Sequence, residues 1–161
     1  MRLTVRPVMP QDAAELADLL NAIIARGGTT AFETPFTPEA LAQSCLIGPG
    51  VHCCFVAEID GRIAGFQWLA TKPFLPAHIG DIATFTRIGS TQSGIGSALF
   101  AATIIRAREL GLTAINATIR ADNVGGLAFY SRMGFVDHEL VPAVPLNDGT
   151  PVDRIRKRLC L

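Results

Sequence analysis

Leu16, Leu19, Leu20, Ile23 and Ile24 recur at i, i+3, i+4, i+7 and i+8. That spacing puts apolar side chains on one face of a helix. Asp12, with Glu15 three residues on, is an approximate capping box at its start, and Gly27-Gly28 ends it. Ahead of it, Leu3-Thr4-Val5-Arg6 alternates and predicts a first strand. Thr37-Pro38-Glu39 starts a second, short helix, with Thr37 as cap, which stops before Gly48-Pro49-Gly50. Residues 51–59 and 62–70 read as strands joined by a hairpin turn at Asp60-Gly61. Residues 72–80 carry two prolines and read as a loop, and 82–88 as a further strand. Then follow a helix over 97–110, a strand over 113–119, a short helix over 125–133, and strands over 135–144 and 152–159. The order is β-α-α-β-β-β-α-β-α-β-β. Antiparallel hairpins early and parallel crossovers near the middle predict one mixed α/β domain over residues 1–161.

Composition narrows the function. Of 161 residues, 49% are hydrophobic and 17% charged, so the chain buries a core and is not disordered. Lys+Arg and Asp+Glu both number 14. A protein that coats nucleic acid or an anionic membrane needs a basic surplus, so neither partner is expected. No apolar run approaches the roughly 20 residues of a membrane span. The start, residues 1–10, has no apolar signal core, and Cys45, Cys53, Cys54 and Cys160 form no CxxC pair. A cytoplasmic protein with reduced thiols is the expectation.

Gly94-Ile95-Gly96 stands between a strand and a helix start. It serves either as a tight turn or as a phosphate cradle, where free N–H groups and the helix dipole hold an anion. A dinucleotide fingerprint would need a third glycine where Leu99 stands, and an acid near Ala114-Ile115-Asn116. A P-loop would need Gly-Lys-Ser/Thr. Both are absent.

A second cluster follows: Asn123-Val124-Gly125-Gly126-Leu127-Ala128-Phe129-Tyr130, then Met133-Gly134-Phe135. With Gly94-Ile95-Gly96-Ser97-Ala98-Leu99 before it, in this order and spacing, the chain resembles the GNAT superfamily of acetyl-CoA-dependent N-acetyltransferases. The resemblance covers nearly the whole chain. Thr29-Thr30-Ala31-Phe32-Glu33-Thr34, followed by Thr37-Pro38-Glu39, is similar to the phosphinothricin N-acetyltransferase-like branch. The resemblance implies the GNAT acyltransferase fold, around one central, partly splayed mixed sheet. It implies acetyl-CoA as co-substrate, with no metal.

It also implies roles. The strand over 82–88 would lie against the pantetheine arm, through main-chain hydrogen bonds around Phe85, Thr86 and Arg87. Gln92, Ser93, Gly94, Ile95, Gly96 and Ser97 would cradle the pyrophosphate. Tyr130, the only Tyr, falls at the family's general-acid position, with packing as the alternative role. Asn123 is either a helix cap or a hydrogen-bonding partner of the cofactor's amides. Asp81 is the candidate base, acting through a water, with His78 as its rival. Phe32 and Glu33 fall on the acceptor side, and Glu33 is a third option for the base. His52 and His138 read as structural, and Cys53 and Cys54 as part of a core strand.

The implied reaction moves an acetyl group from acetyl-CoA to a primary amine of a small molecule by direct attack. An amino acid or an analogue resembling phosphinothricin or methionine sulfoximine would be the acceptor. The alternatives are a protein N-terminus or lysine as acceptor, or a non-catalytic acyl-CoA-binding module. Apolar surface on the last strands points to a homodimer.

Overall fold

Asp60 and Gly61 both take positive φ, 51° and 83°, as a two-residue type I′ turn requires. They join β2 (Val51–Ile59) to β3 (Arg62–Ala70), and the sheet grows outward from this hairpin. β1 (Leu3–Pro7) pairs with β2, and β4 (Ile79–Thr86) with β3, all antiparallel. β5 (Ala114–Arg120) joins β4 in parallel. β7 (Pro151–Cys160) then pairs antiparallel with β5, and β6 (Val136–Pro145) with β7 as the edge strand. The result is one seven-stranded mixed sheet of order β1-β2-β3-β4-β5-β7-β6. The structure is a computed structural model and describes residues 2–90 and 94–161.

Helices cover both faces. α1 (Ala13–Arg26) buries Leu16, Leu19, Leu20, Ile23 and Ile24 against Phe66, Trp68 and Phe85. Each such side chain contributes about 1.5–3 kcal/mol on burial. α2 (Pro38–Leu41) packs on the same side and runs into one π turn over Ala42–Leu46. The Thr37 hydroxyl accepts the Ala40 N–H at 3.1 Å, the expected cap. α3 (Ile95–Glu109) lies on the opposite face, burying Leu99, Phe100, Thr103 and Ala107. α4 (Val124–Arg132) sits beside β5 and adds Tyr130 to that core. Neighbouring Cys54 and Cys53 therefore face opposite cores, as alternation along a strand demands. Among the described residues no helix is long and apolar enough to cross a membrane.

Two local expectations are corrected. The Asp12 carboxylate does not cap α1. It accepts from the two terminal guanidinium nitrogens of Arg6 at 2.8 and 3.0 Å, and from the Met9 N–H at 2.8 Å. A charge-assisted fork outweighs a neutral cap. Glu15 pairs with Arg87 at 3.1 Å instead of closing the box. Second, β4 begins at Ile79, inside the expected loop, because Ile79 and Gly80 are drawn into parallel pairing with Ala114 and Ile115.

That pairing is brief. β4 and β5 are in register only at Ile79, Gly80 and Asp81 against Ala114, Ile115 and Asn116. Beyond Asp81 the two strands diverge, and the sheet opens as a fork.

Candidate active site

The fork opens into a cavity of ≈ 800 Å³. Asp81 and residues 82–86 of β4 form one wall. Thr118 to Arg120 of β5 and the start of α4, with Asn123 and Tyr130, form the other. Thr29 to Phe32, Phe74, Arg154 and Arg156 close the far end. Thr86, Ser90, Gly96 and Phe129 are shared with a smaller hollow of ≈ 160 Å³ at Gly94 to Ser97. The cavity thus runs on to the start of α3.

The α3 start suits an anion. The first helical bond runs from Ala98 N–H to the Gly94 carbonyl at 3.0 Å, so the N–H groups of Ile95, Gly96 and Ser97 precede the helical ladder. Gly94 takes φ 87°, which a side chain would strain. Gly96 is needed for a reason the sequence did not show: a Cβ there would lie 2.6 Å from Phe129 Cε1. Its bare backbone lets α3 and α4 meet. Gln92 and Ser93 lie outside the described residues.

Strand alternation decides which β4 amides face the fork. Arg87 N–H donates to the Ala64 carbonyl at 2.8 Å, on the β3 side. Phe85 shares that edge, two residues earlier. Thr86 and Thr84 therefore turn their N–H groups toward the edge that β5 has left. Of the three expected residues, only Thr86 presents an amide to the fork, and Thr84 is the one missed. The period of two was the available signal. The Arg87 side chain is also engaged, with the Ile63 carbonyl at 2.8 Å and Glu15 at 3.1 Å.

Tyr130 is buried, packed edge-on against Phe129 and Phe135. Its hydroxyl lies 2.9 Å from Thr84 Oγ1, with either oxygen able to donate, and Thr84 Oγ1 accepts from Gln67 Nε2 at 2.9 Å. Burial pushes the phenol well above its usual range. Thr84 opposes that shift, and the negative charge of Asp81 adds to it. The group is a neutral O–H at any working pH.

Asp81 sits at the base of the fork, 8% exposed, accepting Asn116 Nδ2 at 2.9 Å. Burial raises its pKa to about 6, against the lowering effects of Asn116, Lys72 and Arg156. A carboxylate so placed is ionised near neutrality yet basic enough to accept a proton.

The other expected residues divide. Phe32 lines the cavity and packs against Phe36, Trp68 and Phe85, with ring centroids 5.2–6.4 Å apart. Glu33 stands outside it, exposed, and both its oxygens accept the Asn147 N–H at 3.1 and 3.0 Å. His78 is exposed and not part of the cavity wall, and its carbonyl accepts the Thr113 N–H at 2.9 Å. Asn123 caps α4 by accepting Gly126 N–H at 3.0 Å, and its Nδ2 donates to the Thr29 carbonyl at 2.9 Å. Both ends of that side chain are engaged within the chain. Burial raises Cys45 and Cys53 to about 11 and Cys54 further still. These thiols stay protonated, which fits core packing and not a nucleophile.

Comparisons with known proteins agree with this geometry. Residues 18–135 match the model of the acetyltransferase (GNAT) family. A mycothiol acetyltransferase of Streptomyces coelicolor is 35% identical over 86 residues, 53% of this chain and 27% of that protein. The chain thus spans about a quarter of the length of that relative. An uncharacterized N-acetyltransferase of Methanocaldococcus jannaschii is 30% identical over 115 residues, 70% of this chain and 69% of that protein. Among solved structures, a phosphinothricin acetyltransferase of Sinorhizobium meliloti in complex with acetyl-CoA superposes with TM-score 0.86 at 20% identity. It covers all (100%) of this chain and 89% of that one. That superposition shows the shared fold, and the family match over most of its length shows that the chain belongs to the GNAT acetyltransferase family.

Proposed function

We propose that the protein transfers an acetyl group from acetyl-CoA to the primary amine of a small molecule, an amino acid or amino-acid analogue, by direct attack. One observation carries this: the fork between β4 and β5 holds a carboxylate, Asp81, and a neutral phenol, Tyr130, on opposite walls of one cavity. Acetyl-CoA supplies the activated acyl group as a thioester. The N–H groups of Ile95, Gly96 and Ser97 suit its phosphates, and the open edge of β4 suits its amide-bearing arm.

The chain's own groups then meet the three demands of the transfer. Asp81, directly or through one water, takes the proton that an ammonium acceptor must lose before it can attack. The N–H groups of Thr84 and Thr86 stabilise negative charge that develops on the carbonyl oxygen. The Tyr130 O–H supplies a proton to the departing thiolate. Gln67 donates to Thr84, and Thr84 donating in turn to Tyr130 leaves the phenolic hydrogen free to point into the fork.

Thiol release from acetyl-CoA, followed across free amino acids, lysine-containing peptides and peptides with a free N-terminus, tests the proposal. Turnover confined to small amines is expected. Turnover of the peptides alone would move the acceptor to protein. Tight acetyl-CoA binding without thiol release from any amine would leave only a binding module.

A further inference from the structure

Three arginines reach the far end of the cavity: Arg120 from β5, and Arg154 and Arg156 from β7. Arg120 and Arg154 are directly opposite in the antiparallel register, so both leave the same face of the sheet. Arg156 is two residues along, on that face too. Like charges placed this way repel, and each needs a counter-charge. Arg120 has one, donating to both oxygens of Asp122 at 2.9 and 2.8 Å. Arg156 has one, donating to Glu139 at 2.6 Å while its guanidinium lies 4.1 Å over the Phe74 ring. Arg154 is half-buried and, among the described residues, makes no side-chain hydrogen bond or ion pair. Asp81 is the only acid among the described residues of the wall, and it stands on β4 with Lys72 and Arg156 acting on its charge.

From these contacts we infer that Arg154 receives a carboxylate of the acceptor. This rests on the small-amine reading above and makes it specific. The planar guanidinium fork matches a carboxylate in two parallel hydrogen bonds. Asn116, which holds Asp81, and Arg120, across from Arg154, are four residues apart on β5, about 13 Å at 3.3 Å per residue. An arginine side chain and a small amino acid together bridge that span, with the amine toward Asp81 and the acid toward β7. Val141, opposite Arg154 on β6, gives the subsite an apolar side.

Calorimetry in the presence of CoA, with the N-acetyl forms of methionine, glutamate and phenylalanine and with their carboxamides, tests the subsite without requiring turnover. In the wild-type protein at least one acid binds about 10–100-fold tighter than its amide, the range for a charge-assisted pair. Arg154→Gln collapses that ratio toward one while CoA affinity is kept, and Arg154→Lys restores part of it. Val141→Glu places an internal carboxylate beside the guanidinium and lowers the ratio without touching Arg154. No preference for acids in the wild-type protein, or the same ratio in Arg154→Gln and Val141→Glu, overturns the subsite. An Arg154-dependent preference in a protein that acetylates no amine would keep the subsite and remove the proposed reaction.

Discussion

Asp81 carries the sharpest pH consequences. With its pKa raised to about 6 it is protonated in the folded chain over a range where the unfolded chain, at 3.8, has already ionised. A group raised in this way stabilises the fold fully below the unfolded value. That contribution is lost as pH climbs through the folded value. Wild-type stability relative to Asp81→Asn should therefore fall between about pH 4 and 6, by up to about 3 kcal/mol. Denaturant melts of both proteins at several pH values check this, and parallel curves would refute it. Activity should run the other way, since the proposed base must be ionised. In wild type kcat/KM should rise through pH about 6. In Asp81→Asn it should be low there and partly recover at high pH, where free amine is abundant. Tyr130 is tested by deleting one atom: Tyr130→Phe should lower kcat by about 10²–10⁴-fold and leave acetyl-CoA affinity in place. An unchanged kcat, with chemistry rate-limiting, would leave the ring a packing role against Phe129 and Phe135.

Between elements, the critical contact is α3 on α4. Gly96→Ala puts a methyl group against the Phe129 ring, so a loss of about 1–3 kcal/mol is expected. Phe129→Leu in the same chain should recover part of it, and additive losses in the double variant would contradict the contact. Neither side of that contact was legible beforehand, because it joins residues 33 positions apart in two helices read separately. What was legible is local. The Thr37 cap reaches three residues ahead, as does Asn123, and the Asp60-Gly61 turn is contained in its own dipeptide. What was not legible depends on distant partners. β4 starts at Ile79 because β5 lies 35 residues further on, Glu33 is held by Asn147, and Asp12 by an arginine on another element. The β4 amides sat between these cases. The strand was visible, but its two edges could be assigned only once β3 was seen to take Arg87 N–H.

For the whole molecule, a net charge of zero conceals an uneven distribution, with arginines gathered at one end of the cavity. β6 closes the sheet as a long edge with Val136 and Leu140 exposed. The homodimer expected from the sequence would cover that surface. Leu140→Glu should then shift sedimentation from dimer to monomer at micromolar concentration, and a wild-type monomer would dismiss the assembly. Direct transfer within one ternary complex makes the most exposed claim, because it requires both substrates in the fork at once. Initial rates with acetyl-CoA and the acceptor amine varied together test it. Intersecting reciprocal plots, with thiol and acetylated amine formed one for one, are predicted. Parallel plots, with a burst of thiol before any amine is added, would show an acetylated enzyme and contradict direct attack.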